Sequence, residues 1–229
     1  MTTVARSREE VQQTIETTGV VAVIRLRDPE LLQGVVDALM AGGVRALEVT
    51  MTVPRAVELI AGLAKTLPSE FVLGAGTVLD ANTARQVIDA GARFVVSPVL
   101  KPEVIQVCKE RDVVSAPGCF TPTEILTAWE AGADVVKVFP ATALGPGYFK
   151  DVLAPLPHVK LMPTGGVTKE NAGDWIKAGA VALGVGTAMV DSKAVAERKF
   201  SVVTDNARHF VGAVKQAREA ISQSPKPNA

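Results

Sequence analysis

Eight short apolar runs, separated by amphipathic stretches, constrain the fold of this chain more than any other feature. The runs are almost continuously apolar, as expected for parallel strands that are covered by helices. Successive runs begin about 20 to 27 residues apart, which is the length of one strand–loop–helix unit. The runs occupy residues 19–25, 46–50, 71–76, 94–98, 113–118, 135–139, 159–166 and 181–186. The pattern therefore predicts eight consecutive βα units.

Eight βα units in 229 residues are typical of a (β/α)8 TIM barrel. The sequence predicts an additional N-terminal helix at residues 7–17, a closing helix at 206–222 and a flexible tail at 222–229. No linker interrupts the sequence, so residues 1–229 are predicted to form a single domain. A doubly wound sheet is the rival architecture, but "RLRDPE" stands where that fold usually has a Gly-rich loop.

An Ala-Gly pair precedes four of the eight runs and forms a weak internal repeat. The glycines of these pairs are Gly42, Gly91, Gly132 and Gly179. Each is predicted to end a helix in the left-handed conformation, which glycine adopts at little energetic cost. The repeat supports a fold built from one recurring unit.

Charge, cysteine content and the length of the apolar runs disfavour several classes of partner. The 24 basic and 24 acidic residues give a net charge of zero, so neither nucleic acid nor an anionic membrane surface is expected as a partner. Cys108 and Cys119 are too few for a disulfide framework and fit a reduced, cytoplasmic protein. No apolar run approaches the roughly 20 residues that span a bilayer. A small-molecule ligand is predicted instead.

Lys137 stands inside an apolar run, between Val136 and Val138, where a charged ammonium group is costly to bury. One interpretation is that the lysine lies at a strand end and extends its ammonium group to solvent. In the other, burial in the barrel mouth and a neighbouring cation such as Arg25 lower its pKa. A neutral amine could then attack a ketone and form a Schiff base. The residues alone leave both interpretations open.

Polar residues, with one adjacent proline, also stand at or just after the ends of most of the other runs. In a barrel the active site lies at the C-terminal ends of the strands, which makes these residues candidates for it. They are Arg25, Glu48, Thr50, Thr77, Ser97, Pro98 and Thr164. Glu48, in "ALEVT", is predicted either to relay protons in Schiff-base chemistry or to form a salt bridge with Lys137 or Arg25, and the two roles are compatible.

Glycine-containing turns follow the seventh and eighth runs, at Gly165-Gly166 and at Gly186-Thr187. Barrels commonly hold a phosphate group on backbone N–H groups of these two loops. Each turn alone is explained equally well as a tight connection. Their joint occurrence favours a phosphate site.

The motifs, taken in order, resemble those of the 2-keto-3-deoxy-6-phosphogluconate (KDPG) and 4-hydroxy-2-oxoglutarate (KHG) aldolases. The resemblance covers nearly the whole chain, and its motifs are "GVVAVIR", "GGVRALEVT", "GAGTVLD", "SPVL", "PGCFTPTE", "VKVFPA", "MPTGGV" and "GVGTAMV". It implies a class I aldolase of the Entner–Doudoroff pathway with a (β/α)8 fold, commonly a homotrimer. It implies neither a metal nor another cofactor.

The resemblance also implies roles for individual residues. Lys137 of "KVFP" would form the Schiff base with pyruvate, and Glu48 would be the general acid/base. The substrate-binding residues would be Thr77, Pro98, Phe139 and Thr164, and the phosphate-binding residues Gly165, Gly166, Gly186 and Thr187. Many relatives carry serine at the position of Thr187, and threonine also provides a hydroxyl group.

One position departs from the common family pattern. Many relatives have an arginine four residues after the glutamate, where it holds the substrate carboxylate, but this chain has Thr52. Arg25, in "VIR", matches an arginine that a subgroup of the family carries at the end of the first strand. Arg25 is therefore predicted to bind the carboxylate from that strand through its two-pronged guanidinium group.

The resemblance predicts a lyase that cleaves KDPG to pyruvate and glyceraldehyde 3-phosphate, and also KHG to pyruvate and glyoxylate. Within the same chemistry, the alternatives are the galactonate-derived epimer and a non-phosphorylated keto-deoxy sugar acid. A phosphate-binding barrel of another class, such as an isomerase or a thiamine-phosphate synthase, would share the glycine turns without requiring Lys137. A catalytically silent scaffold would require neither Lys137 nor Glu48.

Overall fold

The computed structural model describes residues 6–223, so residues 1–5 and 224–229 lie outside the described part of the chain. Most of the predicted tail falls in the second of these ranges. Residues 222 and 223 belong to the terminal helix, which begins at Phe200 rather than at the predicted residue 206. Between residues 6 and 223, no helix combines the length and the apolar character needed to cross a membrane.

Parallel strands alternate with helices along the described residues. The strands are β1 (Val20–Ile24), β2 (Ala46–Thr50), β3 (Val72–Gly76), β4 (Phe94–Val96), β5 (Val114–Ala116), β6 (Gly118–Cys119), β7 (Val136–Val138), β8 (Leu161–Pro163) and β9 (Leu183–Val185). The helices are α1 (Arg8–Thr18), α2 (Leu32–Ala41), α3 (Ala56–Thr66), α4 (Ala81–Asp89), α5 (Pro102–Glu110), α6 (Pro122–Glu130), α7 (Gly145–Leu153), α8 (Ala172–Lys177), α9 (Ser192–Ala196) and α10 (Phe200–Gln223). Two 3₁₀ turns cover Pro29–Leu31 and Ala141–Ala143.

Two short strands, β5 and β6, lie where the fifth run predicted one, and β6 extends one residue beyond that run. Pro117 separates them, and proline has no N–H group to donate to a strand ladder. Its carbonyl oxygen still accepts a hydrogen bond from the backbone N–H of Lys137, at 2.9 Å. The other seven runs each contain one strand, so the predicted alternation is otherwise confirmed.

The strands form two parallel sheets. One has six strands in the order β5-β4-β3-β2-β1-β9, and the other has three in the order β6-β7-β8. Isolated parallel bridges join Leu161 to Ala180 and Thr164 to Gly184. The predicted parallel α/β architecture is confirmed, but the strands are divided between two sheets instead of forming one continuous eight-stranded sheet.

Helix α1 lies across the N-terminal ends of the strands. Its buried Val11 and Ile15 belong to an apolar cluster with strand residues, which include Val21, Ala46 and Val72 near the starts of β1, β2 and β3. A capping box at Ser7 begins the helix. The opposite, C-terminal ends of the strands are left for the functional site.

A carboxylate links α1 to both sheets. Arg8 donates hydrogen bonds to Asp134 at 2.7 and 2.8 Å and to the carbonyl oxygen of Gly132 at 3.0 Å. Asp134 also accepts the backbone N–H of Ser115, in β5, at 2.8 Å. This Arg8–Asp134 clasp therefore joins β5 of the larger sheet to the segment that leads into β7.

The predicted left-handed glycines are confirmed at three of four positions: Gly91, Gly132 and Gly179 have φ angles of 108°, 97° and 103°. Gly42 has φ −82°, so the prediction is wrong there, and Gly43 takes the positive φ of 89°. Gly42 serves close packing instead. A Cβ atom on it would lie 2.3 Å from Cβ of Ala207, in α10.

Candidate active site

The structure buries both predicted catalytic side chains at the C-terminal side of the strands. Lys137, in β7, is 5% exposed, and Glu48, in β2, is 1% exposed. The Nζ atom of Lys137 lies 5.0 Å from the centre of the Phe139 ring, within the range of a cation–π contact. The burial contradicts the interpretation of Lys137 as a lysine that extends its ammonium group to solvent.

Burial lowers the pKa of Lys137 below the usual value for a lysine. The positive charge of Arg25 lowers this pKa further, while the carboxyl group of Glu48 acts in the opposite direction. A lowered pKa increases the fraction of neutral amine near pH 7, and only the neutral amine is a nucleophile. Lys137 thus has the environment that Schiff-base formation requires.

Burial has the opposite effect on Glu48 and raises its pKa, against the influence of Lys137 and Arg25. Neither carboxyl oxygen of Glu48 has a hydrogen-bond partner among the described residues, so the predicted salt bridge with Lys137 or Arg25 is not formed. A buried carboxyl group without a partner is unfavourable in a structural role. With a raised pKa, it is suited to exchange protons with a bound molecule.

The predicted pyruvate-binding residues lie on strand ends next to this pair. Phe139 follows β7 and contacts Lys137 as described above. Pro98 follows β4 and lies close to Gly118. A Cβ atom on Gly118 would lie 2.3 Å from the Pro98 carbonyl group. Gly118 in turn pairs with Lys137 in the sheet. Thr77 directly follows β3 and has φ 60°, a strained angle for threonine of the kind that clusters at binding sites.

Thr164 directly follows β8 as a buried residue, and its hydroxyl oxygen has no hydrogen-bond partner among the described residues. Gly165 and Gly166 follow with positive φ angles of 82° and 72°. Within residues 6–223, the backbone N–H groups of Gly165, Gly166, Gly186 and Thr187 donate no hydrogen bond. Free N–H groups of neighbouring loops can bind an anion, which fits the predicted phosphate site.

Arg25 is exposed at the end of β1 and lines a cleft of about 900 Å³ together with Thr52. Neither Lys137 nor Glu48 lines this cleft, and both are buried.

The hydroxyl group of Thr52 is already engaged. It lies 2.7 Å from the hydroxyl oxygen of Thr50, whose single proton points to the carbonyl oxygen of Ile24 at 3.1 Å. Thr52 must then donate its own proton to Thr50. Arg25 makes no hydrogen bond within residues 6–223, so its donors are available to a carboxylate, whereas the Thr52 hydroxyl group is engaged.

Two glycines of the site were not predicted from the sequence. A Cβ atom on Gly76 would lie 1.8 Å from a carboxyl oxygen of Glu48, and one on Gly184 would lie 2.2 Å from the hydroxyl oxygen of Thr164. Their signal in the sequence is a glycine at or near the end of a predicted strand, in "GAG" and "GVG". That signal does not tell which side chain approaches the glycine.

Comparisons with known proteins agree with this geometry. The family described as KDPG and KHG aldolase matches residues 11–205. The chain is 35% identical over 205 residues to the KHG/KDPG aldolase of Escherichia coli K12, which covers 89% of this chain and 96% of that protein. It is 32% identical over 202 residues to the 2-dehydro-3-deoxy-6-phosphogalactonate aldolase of the same strain, covering 88% of this chain and 95% of the other.

Among solved structures, the chain resembles the KDPG aldolase of Legionella pneumophila, with a TM-score of 0.81 and 28% identity over 87% of this chain and 97% of that one. That protein was solved with pyruvate captured at low pH as a covalent carbinolamine intermediate. The family match spans most of the sequence and includes every predicted site residue. This chain belongs to the KDPG and KHG aldolase family.

Proposed function

We propose that this chain is a class I aldolase, a lyase that cleaves KDPG to pyruvate and glyceraldehyde 3-phosphate and KHG to pyruvate and glyoxylate. The observation that carries the proposal is Lys137, a buried lysine with a lowered pKa beside Glu48, whose carboxyl group has no hydrogen-bond partner within residues 6–223. The names of the E. coli relative and of the Legionella structure support the substrate and the covalent chemistry.

The reaction begins when the neutral amine of Lys137 attacks the C2 ketone of the substrate. The carbinolamine loses water to give a protonated imine, and Glu48 moves the protons of this step. Glu48 then takes the proton of the C4 hydroxyl group as the C3–C4 bond breaks. The bond electrons move into the imine as an enamine, and the aldehyde leaves. Protonation at C3 and hydrolysis of the imine release pyruvate and restore Lys137.

The ends of the substrate are held away from the reacting atoms. Arg25 binds the C1 carboxylate, and Thr77, Pro98, Phe139 and Thr164 surround the pyruvyl part. The free N–H groups of Gly165, Gly166, Gly186 and Thr187 bind the phosphate group. No step requires a metal or another cofactor, because the protonated imine accepts the electrons.

A second candidate substrate is the galactonate-derived epimer of KDPG. The 32% identical relative named 2-dehydro-3-deoxy-6-phosphogalactonate aldolase favours it. The two epimers differ only in the configuration at C4, so both fit the same chemistry at Lys137 and Glu48. Turnover measured with each epimer separately distinguishes the two candidates.

We also propose that the two sheets form one closed (β/α)8 barrel and that residues 1–229 form one domain. Only Pro117 separates β5 from β6, and the bridges at Leu161–Ala180 and Thr164–Gly184 connect the segments of β8 and β9. These contacts support closure around the site. The homotrimer and the cytoplasmic location stay predictions from the family resemblance.

Borohydride reduction in the presence of pyruvate tests the reaction class. The expected result is a reduced pyruvyl adduct on the peptide that contains Lys137, detected by mass spectrometry, because borohydride traps an imine. Protein treated with borohydride alone is the control and should show no added mass. An adduct on another lysine, or none at all, would remove the proposed mechanism.

Arg25→Ala is expected to raise KM for KDPG at least tenfold. The variant loses a charge-assisted hydrogen bond to the carboxylate, and such a bond contributes about 1.5 to 3 kcal/mol. The Lys137 pKa should also rise, because the positive charge of Arg25 now lowers it. Activity that depends on the neutral amine should therefore begin at higher pH. Steady-state kinetics across a pH series measure both effects.

Thr52→Ala is the comparison for Arg25→Ala. The Thr52 hydroxyl group is already hydrogen-bonded to that of Thr50, so this variant should change KM and the pH profile little. If KM instead responds to Thr52 and not to Arg25, the carboxylate binds beside β2 and the assignment to Arg25 is wrong.

A further inference from the structure

Gly76 is the last residue of β3 and pairs with Thr50 of β2, two residues beyond Glu48. It is buried beneath the Glu48 side chain. A Cβ atom on Gly76 would lie 1.8 Å from Oε1 of Glu48, 2.5 Å from Cδ and 2.8 Å from Cγ. The carboxyl group of Glu48 thus occupies the space that any side chain at position 76 would need.

The backbone itself does not require glycine at this position. The φ angle of Gly76 lies outside the left-handed range that favours glycine. The next residue, Thr77, does have a left-handed φ of 60°, yet it carries a side chain. Glycine therefore stands where the backbone is unstrained and threonine where it is strained. The close approach of Glu48 explains the glycine at position 76.

Because the Glu48 carboxyl group packs against Gly76, this glycine is part of its immediate surroundings. The Cα hydrogens of glycine are not conventional hydrogen-bond donors, and both oxygens of Glu48 lack a partner among the described residues. The charges that act on the group belong to Lys137 and Arg25. A carboxyl group held in this way keeps its oxygens available to substrate.

We propose that Gly76 is a positioning residue for Glu48, because only the absence of a side chain at position 76 lets the carboxyl group reach substrate bound to Lys137. The inference rests on the proposed aldolase reaction and extends it to a residue that does not touch the reacting atoms. Gly76 acts on the proton transfers through Glu48 and has no direct part in imine formation or in binding the substrate ends.

Gly76→Ala in the full-length protein is expected to lower kcat for KDPG about 10- to 100-fold, since displacing a catalytic group by about 1 Å has effects of this size. KM should change less than about threefold, because Arg25 and the glycine turns are untouched. Borohydride should still trap pyruvate on Lys137. Loss of this adduct from the wild-type protein would contradict the aldolase mechanism, whereas wild-type kcat in Gly76→Ala would contradict only the role of Gly76.

A double-mutant cycle tests whether Gly76 acts through Glu48. Adding Gly76→Ala to Glu48→Gln should lower kcat by less than about twofold beyond the effect of Glu48→Gln alone, because the proton-transfer group is already lost. A merely structural role would make the two losses multiply. Fully multiplicative losses would therefore overturn the proposal.

Gly74→Ala is the matched control on the same strand. The three atoms nearest to its added methyl group all belong to the Phe94 ring, at 2.4 to 2.5 Å, so it should lower the melting temperature while kcat per folded protein stays near the wild-type value. Where Gly76→Ala does not fold, Glu48→Ala combined with Gly76→Ala replaces it. Removing the Glu48 carboxyl group opens the space, so this double variant should fold as Glu48→Ala does. Failure of the double variant to fold would show that glycine is needed at position 76 for another reason.

Discussion

Replacing Lys137 with methionine is expected to lower kcat/KM for KDPG by about 10⁴-fold or more and to abolish the pyruvyl adduct. Methionine has nearly the same length and fits the apolar strand, so the fold should persist. The amine that forms the imine is lost, and removal of a covalent nucleophile has effects of this order. Steady-state pyruvate release and mass spectrometry after borohydride treatment measure the two outcomes.

Lys160→Met is the control for this substitution. Lys160 lies one residue before β8, and its ammonium group forms a salt bridge with Glu16 at 2.7 Å. Both side chains are partly exposed to solvent. Its loss should leave turnover and the adduct unchanged. If Lys137→Met kept more than about one percent of wild-type turnover, the nucleophile would have to be sought elsewhere in the chain.

Glu48→Gln is expected to lower kcat by about 10² to 10⁴-fold, the usual contribution of a positioned acid/base. Glutamine has the shape of glutamate but cannot take up or release the proton. Pyruvate should still form its adduct with Lys137, although more slowly. Single-turnover cleavage of KDPG and borohydride trapping separate the two steps.

The same variant should shift the pH dependence of kcat/KM in a defined direction. Ionised Glu48 raises the pKa of Lys137. Without this negative charge the Lys137 pKa falls, so the neutral amine forms at lower pH and the acidic limb of the profile moves to lower pH. Arg25→Ala should move that limb in the opposite direction. Wild-type turnover and an unshifted limb in Glu48→Gln would reduce Glu48 to a packing residue.

The repeated alternation of apolar runs and helices could be predicted from the sequence because every unit meets the same physical requirement. Each strand must be covered by the helix that follows it, and this requirement leaves a periodic pattern of apolar residues. The identity of Lys137 as a candidate followed from the same pattern, since a lysine in a buried strand breaks it. The fifth run is divided at Pro117 because proline lacks a backbone N–H group, and the pattern of apolar residues carries no information about backbone donors.

The relation between Glu48 and its neighbours could not be predicted in the same way. The sequence allowed either a salt bridge or proton transfer for Glu48, and only the three-dimensional arrangement leaves both carboxyl oxygens without a hydrogen-bond partner in the described part of the chain. The role of Gly76 was missed for a similar reason. It depends on the distance between two side-by-side strands, β2 and β3, whose residues are far apart in the chain. The glycine turns were predictable because their free N–H groups follow from local geometry.

The Arg8–Asp134 clasp lies on the side of the molecule opposite the proposed active site. Asp134 contacts α1 and β5 only three residues before Lys137, on the side opposite the C-terminal ends of the strands. These contacts hold the segment that precedes Lys137 from the side of α1. The loops around the entrance can change in length or composition while the amine stays in place. In this architecture, substitutions in the loops at the C-terminal ends of the strands can change substrate preference while the strand that carries Lys137 stays as it is.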